Sequence, residues 1–258
     1  MPVPKNPFKA ALAKGETVFG CWLGLADTFS AELMGTAGFD WMVIDGEHGP
    51  NDLRSIIAQL QVLEASDSHP VVRLPIGETY MVKQVLDAGA QTVLVPMVES
   101  AEQARQLVRD VTYPPHGDRG VGYALTRAAR FSQTKDYGKT ADAEICLLVQ
   151  VENRAGIAAL DDILGVEGVH GVFIGPADLA ADMGHMGNAL HEDVQAVIMD
   201  ALKRIRAAGK APGILSTHDP MTEAAIAAGA QFVAVGADVL ILSHGAQALA
   251  SKWKSHKG

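Results

Sequence analysis

The chain has 258 residues and a mass of 27.2 kDa, close to the roughly 250 residues of a one-domain α/β barrel. Its composition, with 48% hydrophobic and 20% charged residues, excludes an intrinsically disordered protein. The 30 acidic and 21 basic residues give a formal charge of -9, so nucleic acid and membranes are not expected partners.

Cysteine content and the lengths of the apolar segments both predict a cytoplasmic protein. Cys21 and Cys146 lie far apart inside apolar segments, which argues against a disulfide framework or a zinc knuckle. The N-terminal residues contain no apolar signal-peptide core, and no later apolar segment reaches the ~18 residues of a membrane-spanning helix.

Eight apolar segments of strand length alternate with amphipathic segments along the chain. The predicted strands are residues 18–25, 41–44, 70–74, 92–98, 145–151, 169–174, 211–215 and 232–235. Helical spacing is clear at 52–65 and 192–208. Because the strand segments are almost continuously apolar, we expect parallel strands covered on both faces. This pattern predicts an α/β fold of the (β/α)8 TIM-barrel type, with an open doubly wound sheet as the alternative.

One segment, residues 114–137, does not fit the alternation. It is rich in glycine and arginine and is long for a connection within a βα unit. We predict that it forms a lid or an interface loop. The sequence contains no linker, so residues 1–258 are predicted to form a single barrel domain.

Catalytic groups of a parallel α/β barrel lie at the carboxyl ends of its strands. Four of the predicted strands end in polar residues that an apolar segment does not need. Asp45, Glu47 and His48 follow the second strand, Arg73 ends the third, Gln150 and Glu152 end the fifth, and Asp178 follows the sixth. These residues are the candidates for a functional site.

Glu152 is the most informative of these residues. The two-residue period of a strand places Gln150 and Glu152 on one face, opposite an apolar face that would pack on the helices. A carboxylate that points into the barrel loses its contact with water, so its charge must be compensated by a metal or an arginine, or neutralised by a proton. The alternative to a metal is an ion pair with Arg73 that only closes the end of the barrel.

Asp178 follows Gly175, Pro176 and Ala177, a sequence that suits the first turn of a helix. Asp178 is either a helix-capping residue or a second carboxylate ligand of a metal. In the second interpretation the N–H groups of Ala177 and Asp178 would receive a substrate carboxylate. Two carboxylate ligands favour Mg²⁺, Mn²⁺ or Co²⁺ over zinc.

His48 lies three residues after Asp45 in a glycine-containing turn. It is either a solvent-bonded turn residue or, with Asp45 fixing its tautomer, a general base. A lysine imine mechanism is disfavoured because no lysine lies within or at the end of a predicted strand. Lys210, the nearest, precedes its strand and would lie at the opposite mouth of the barrel.

Several long motifs resemble the HpcH/HpaI family of class II pyruvate aldolases. They include GFDWMVIDGEHGPND, PVVRLP, YPPHGDRGVGYALTRAARF, LVQVENRAGIAALDDIL and GVFIGPADLAADMG, and the similarity spans nearly the whole chain. The resemblance implies a barrel of the phosphoenolpyruvate/pyruvate type with a C-terminal helix swapped between subunits. It also implies a hexamer with a role in aromatic catabolism.

The resemblance assigns a role to each residue that matches a family motif. The implied metal ligands are Glu152 and Asp178, the catalytic residues are His48, Asp45 and Arg73, and the substrate-binding residues are Arg73, Gln150, Gly175, Pro176, Ala177, Asp178, Trp22 and Leu215. Trp22 and Leu215 match positions on the aldehyde side. Tyr123 departs from the family, because relatives carry a small serine there, and a bulky phenol bears on which aldehyde is accepted.

The implied reaction is the reversible cleavage of a 4-hydroxy-2-oxo acid, such as 4-hydroxy-2-oxoheptanedioate, to pyruvate and an aldehyde. It would require Mg²⁺, Mn²⁺ or Co²⁺ to stabilise the pyruvate enolate. The alternatives are a 2-dehydro-3-deoxy sugar acid substrate, a hydroxypyruvate-accepting aldolase, and a barrel that only binds oxo acids as a sensor. A citryl-CoA type substrate is disfavoured, because a basic cluster for its phosphates is not visible beyond Arg119, Arg127 and Arg130.

Overall fold

A computed structural model describes residues 3–257 and contains a closed barrel of eight parallel strands, in which each strand pairs with the next and the eighth pairs with the first. The strands are β1 Val18–Leu23, β2 Trp41–Asp45, β3 His69–Arg73, β4 Thr92–Val95, β5 Cys146–Val151, β6 Gly171–Ile174, β7 Ala211–Leu215 and β8 Phe232–Ala237. The predicted (β/α)8 barrel is confirmed, and the open sheet is excluded.

Helices surround the barrel. They are α1 Pro7–Lys14, α2 Thr28–Gly35, α3 Leu53–Leu63, α4 Thr79–Ala88, α5 Ala101–Val111, α6 Tyr137–Thr140, α7 Arg154–Ala158, α8 Leu160–Leu164, α9 Pro176–Asp182, α10 Glu192–Ala207, α11 Asp219–Ala227 and α12 Asp238–Lys254. The strand bounds differ from the predicted ones by at most three residues. The largest difference is at β4, which ends before Pro96 because proline has no N–H for the ladder and Met97 has a φ of 56°.

Alternate residues of each strand pack into two separate apolar cores. In β5, Leu147, Val149 and Val151 face the helices, whereas Cys146 and Leu148 face the barrel interior. Gln150 and Glu152 lie two and four residues after Leu148, so they share its face and point to the barrel interior. The two-residue period of the sequence predicts this orientation.

The end of the barrel where the strands begin is closed by α1. The ring of Phe8 lies 5.6 Å from Trp41, 5.7 Å from the parallel imidazole of His69 and 6.0 Å from Phe232. A Cβ atom at Gly20 would lie 2.3 Å from the Trp41 indole, so glycine is needed there. This aromatic plug leaves the opposite end as the open mouth.

The segment 114–137 connects α5 to β5 and lies at the closed end. Arg127 donates to the main-chain oxygen of Ala88 at 3.0 Å, and Arg127 and Arg130 pair with Glu64 at 2.6 and 2.7 Å. A helix-to-strand connection returns the chain to the end where strands begin, so the segment lies away from its own barrel's mouth. Its role as a lid or an interface loop remains a prediction.

The last helix, α12, exposes apolar side chains. Leu242, Leu249 and Trp253 are each about 60% exposed, at 61%, 60% and 59%. Exposed apolar surface of this kind commonly marks a protein interface. The swap of α12 between subunits remains a prediction. None of the helices within residues 3–257 is both long and apolar enough to cross a bilayer.

Candidate active site

The carboxyl ends of the strands bring several of the predicted site residues together at the open mouth. Asp45, Arg73, Gln150 and Glu152 are all buried there, at or just after the ends of β2, β3 and β5. The parallel register places Asp45 directly beside Arg73. The mouth therefore contains a buried cluster of polar and charged side chains.

The guanidinium of Arg73 lies at the centre of this cluster. Its Nε and Nη2 donate to the two carboxylate oxygens of Asp45 at 2.9 and 2.7 Å, and its Nη1 lies 2.7 Å from a Glu47 oxygen. It also faces the Trp22 ring, 5.3 Å from the centroid. A guanidinium has five N–H donors, and these contacts use only some of them. Arg73 can therefore receive an anionic oxygen while it stays anchored.

The carboxylate of Asp45 holds the turn that follows β2. Its Oδ1 accepts hydrogen bonds from the main-chain N–H groups of Glu47, at 3.0 Å, and His48, at 3.3 Å. This geometry corrects the predicted pairing, in which Asp45 orients the imidazole of His48. The strand register places Asp45 beside Arg73, and the carboxylate of Asp45 accepts two hydrogen bonds from the Arg73 guanidinium. Asp45 therefore contacts the main chain of His48 and not its imidazole ring.

The imidazole of His48 projects into solvent, with 66% of the side chain exposed. Its Nε2 lies 3.9 Å from Oε1 of Glu47, which is the one carboxylate within ion-pair distance of this ring among the described residues 3–257. Burial raises the pKa of Glu47, and the positive charge of Arg73 opposes that rise. The ring of His48 is thus free to approach a ligand above the mouth.

Glu152 is only 2% exposed. Its Oε1 accepts a hydrogen bond from the main-chain N–H of Met97 at 2.9 Å, and its Oε2 accepts one from the side-chain amide of Gln150. Burial raises the pKa of Glu152, these hydrogen bonds oppose the rise, and the carboxylate of Asp178 adds to it. The side chain of Glu152 is therefore in a place where a nearby cation would stabilise its charged form.

The alternative in which Glu152 pairs with Arg73 does not form, because Asp45 and Glu47 hold Arg73. Within residues 3–257, Glu152 has no ion-pair partner, and the Oε1 atom of Gln150 is buried with no hydrogen-bond partner. Buried polar atoms without partners are rare in native proteins. Their occurrence at the mouth indicates a place for a polar ligand or a cation.

The loop after β6 lies against Glu152. A Cβ atom at Gly175 would lie 2.5 Å from Oε2 of Glu152, so glycine permits this close approach. Gly175 is also the N-cap of α9 and provides no side-chain cap for the N–H groups of Ala177 and Asp178. Asp178 is exposed in the first turn of α9. Its role as a ligand, and the reception of a substrate carboxylate by Pro176–Asp178, remain predictions.

Trp22 and Leu215 lie beside the interior core near the mouth, Trp22 buried and Leu215 half-buried. Both positions can border a ligand there. Tyr123 lies elsewhere: its ring packs 5.8 Å from Tyr113 and 5.6 Å from Tyr137, in the segment after α5 at the closed end. Tyr123 therefore does not line the mouth of its own barrel.

One contributor to the site is absent from the predicted set, and one candidate received no role there. Glu47 is a candidate from the sequence without an assigned role, and it pairs with Arg73 in the structure. Met97, which has a positive φ, was not predicted, and its main-chain N–H donates to Glu152. A main-chain contact of this kind cannot be recognised from the type of side chain.

Comparison with known proteins identifies the family of this site. The sequence model of one family, described as HpcH/HpaI aldolase/citrate lyase, matches residues 18–245. The chain belongs to the HpcH/HpaI aldolase/citrate lyase family. The predicted membership is thereby confirmed.

Three relatives within the HpcH/HpaI family illustrate the similarity. A hydroxypyruvate/pyruvate aldolase of Roseobacter denitrificans is 58% identical, with 98% of this chain and 99% of the relative covered. A 4-hydroxy-2-oxo-heptane-1,7-dioate aldolase of Klebsiella pneumoniae is 52% identical, with 96% and 94% covered. The crystal structure of a family member from Burkholderia cenocepacia superimposes with a TM-score of 0.91 at 38% identity, with 96% and 99% covered. These relatives establish the chain as an enzyme of the carbon–carbon lyase class.

Proposed function

We propose that the chain catalyses the reversible, divalent-metal-dependent cleavage of a 4-hydroxy-2-oxo acid to pyruvate and an aldehyde. The observation that carries the proposal is the buried carboxylate of Glu152, which lacks an ion-pair partner among residues 3–257 and lies close to Asp178 and Arg73. A cleavage reaction that leaves a negatively charged three-carbon fragment needs positive charge at this place.

The residues at the mouth fit a divalent cation. Glu152 and Asp178 would hold it, and the amide of Gln150 would lie beside it. The donor set consists of oxygen atoms, which suits Mg²⁺, Mn²⁺ or Co²⁺. When bound, the cation supplies a Lewis acid that stabilises the charge of a pyruvate enolate.

The remaining steps use side chains of the chain itself. The unused N–H donors of Arg73 would bind the anionic oxygens of the three-carbon fragment. His48 Nε2 would accept the proton of the 4-hydroxyl group as the bond between carbons 3 and 4 breaks. The electron pair of that bond stays on the three-carbon fragment, and the aldehyde leaves. Carbon 3 then takes a proton from solvent, and the exposed imidazole of His48 releases its proton to solvent. In the direction of addition, protonated His48 gives its proton to the alkoxide oxygen that forms on carbon 4.

A second donor, hydroxypyruvate, is favoured by a specific observation. The Roseobacter denitrificans relative, named a hydroxypyruvate/pyruvate aldolase, is more similar to this chain than the Klebsiella pneumoniae relative, at 58% against 52% identity. Hydroxypyruvate differs from pyruvate by one hydroxyl group and carries the same 2-oxo acid that the mouth would bind. The 2-dehydro-3-deoxy sugar acids are substrates that the same chemistry would cleave to pyruvate.

We also propose that α12 packs against another copy of the chain in a homo-oligomer, for which a hexamer is expected. The exposed apolar side chains of Leu242, Leu249 and Trp253 support this proposal. Light scattering of the purified protein would measure the oligomeric state directly.

The decisive experiment is a lactate-dehydrogenase-coupled assay of pyruvate release from a panel of 4-hydroxy-2-oxo acids. We expect chelation to abolish release and Mg²⁺, Mn²⁺ or Co²⁺ to restore it. Addition reactions that pair pyruvate or hydroxypyruvate with the same aldehyde would rank the two donors. Full activity after exhaustive chelation, or inactivation by borohydride in the presence of substrate, would contradict the proposal.

A further inference from the structure

A cluster of two histidines and one aspartate lies outside the mouth, in the connection between α9 and α10. His185 follows α9, His191 is the N-cap of α10, and Asp193 lies in the first turn of α10. The side chains are 26%, 31% and 68% exposed, respectively. The cluster shares no residue with the candidate active site and is not used in the reaction proposed above.

The nitrogen and oxygen atoms of this cluster converge on one point. Nε2 of His185 lies 3.9 Å, and Nδ1 of His191 3.6 Å, from the same carboxylate oxygen of Asp193. One ligand atom from each residue lies within 4.8 Å of the other two. Ligand atoms around a tetrahedral Zn²⁺ ion are about 3.4 Å apart, given Zn–N and Zn–O distances near 2.1 Å. Small side-chain rotations would therefore bring the three atoms to binding distance.

The two imidazole rings lie face to face, and one of them accepts a main-chain hydrogen bond. They stack almost in parallel, with centroids 3.6 Å apart and an interplanar angle of 18°. The main-chain N–H of Asp193 donates to Nδ1 of His191 at 3.3 Å, so Nδ1 is the accepting nitrogen of this ring. A bound cation would replace that weak hydrogen bond.

We propose that His185, His191 and Asp193 form a second metal site, which binds Zn²⁺ or a similar transition-metal ion and completes its coordination with water. Two imidazoles and one carboxylate suit Zn²⁺, Ni²⁺ or Cu²⁺, in contrast to the oxygen donors at the mouth. The three residues span the connection from α9 to α10. A metal bound there would fix this connection and stabilise the fold next to the helix that carries Asp178.

The test separates this site from the mouth by working in a Glu152→Gln/Asp178→Asn background. Untagged protein is titrated with ZnCl₂ by calorimetry, and the zinc X-ray absorption spectrum reports imidazole ligands. We expect one equivalent of Zn²⁺ with two imidazoles bound per chain and an increase in Tm. His185→Gln and Asp193→Asn should each weaken binding by about tenfold or more, because each removes a ligand.

The matched control is His116→Gln, which removes an exposed histidine at the closed end of the barrel and should bind zinc like its parent. Circular dichroism would establish that each variant is folded. The proposal is overturned if the parent binds no zinc, or if His185→Gln and Asp193→Asn bind it with unchanged affinity. Either result is independent of lyase activity, so it leaves the proposed reaction unaffected.

Discussion

The two ends of the barrel differ in how their charged side chains are paired. At the closed end, the charged groups of several side chains are paired within the fold: the ammonium groups of Lys9 and Lys210 each donate to two main-chain oxygens at 2.7 to 3.0 Å. His69 likewise bonds to Thr92 at 2.8 Å, and Gln231 to the main-chain oxygen of Leu12 at 3.0 Å. These groups are desolvated, but their hydrogen bonds compensate for the lost water.

At the open mouth, the comparable groups are left incomplete. Glu152 is buried without an ion-pair partner in the described part of the chain, Gln150 has a buried oxygen without a donor, and Arg73 retains unused N–H groups. Buried atoms without hydrogen-bond partners also occur at the closed end, on Tyr113, Thr134 and Arg119. What distinguishes the mouth is therefore the buried carboxylate of Glu152, which has no ion-pair partner among residues 3–257 and is available to a cation that binds there. Substitutions at the mouth should therefore change activity, and those at the closed end should change stability.

The largest expected effect follows from Glu152→Gln, which retains the volume of the side chain and removes its charge. We expect kcat/KM for aldol cleavage to fall by about 1,000-fold or more, because the proposed cation loses one of its two carboxylate ligands. Thermal unfolding should show that the variant remains folded. The measurement is the pyruvate-release assay with saturating metal.

The matched control at the closed end is Glu144→Gln. Glu144 pairs with Lys5 at 2.7 Å and accepts a hydrogen bond from the main-chain N–H of Asn6 at 2.9 Å. Its loss should reduce stability by about 1 kcal/mol and leave turnover unchanged. Equal activity of the Glu152 and Glu144 variants would show that the two ends do not differ as argued.

The next effect is a pH dependence of stability that belongs to the closed end. Burial lowers the pKa of His69 to about 4, from an ordinary value of 6.5. In the unfolded chain, the imidazole of His69 is therefore protonated near pH 6.5, whereas in the folded protein it is protonated only near pH 4. The free energy of unfolding should consequently decrease as the pH falls through this window, by about 3 kcal/mol at pH 4.

Denaturant unfolding of the wild-type protein and of His69→Gln, between pH 7.5 and 4.5, would test this effect. The glutamine can still bond to Thr92 but does not titrate, so its stability should decline less steeply with acid. His244→Gln, at an exposed position on α12, should keep the wild-type slope. Parallel curves for the wild-type protein and His69→Gln would exclude His69 as the source of the acid sensitivity.

Much of the fold and part of the site could be predicted from local sequence patterns. Apolar segments locate all eight strands, and the two-residue period directs Gln150 and Glu152 to the interior. The position of segment 114–137 was predictable as well, since a connection that follows a helix must lead to the beginning of a strand. Its composition suggested a lid or an interface loop, and its place in the chain order puts it at the end of the barrel opposite its own mouth.

The pairing of side chains across strands could not be predicted in the same way. Asp45 bonds to Arg73 because the register of β2 and β3 places them side by side, and local spacing instead suggested His48 as its partner. Asp238 accepts a hydrogen bond from the main-chain N–H of Gly24, 214 residues earlier in the chain, at 2.8 Å. Such contacts depend on barrel closure, which local sequence spacing does not encode.

The smallest expected effect compares two buried arginines, Arg73 at the mouth and Arg119 at the closed end. Arg73→Lys retains the charge but cannot form the two parallel bonds to Asp45 or present the remaining donors. We expect kcat/KM to fall about 100-fold with a small change in Tm. The assay is pyruvate release, with KM and kcat determined separately.

Arg119→Lys is the matched control, since Arg119 is only 1% exposed and lies 4.4 Å from the centroid of the Tyr113 ring. Lysine cannot stack on the ring as a guanidinium does, so this variant should lower Tm while kcat/KM stays near the wild-type value. A loss of activity in Arg119→Lys as large as in Arg73→Lys would mean that the closed end also serves the reaction. The division between an end that stabilises and an end that binds would then have to be abandoned.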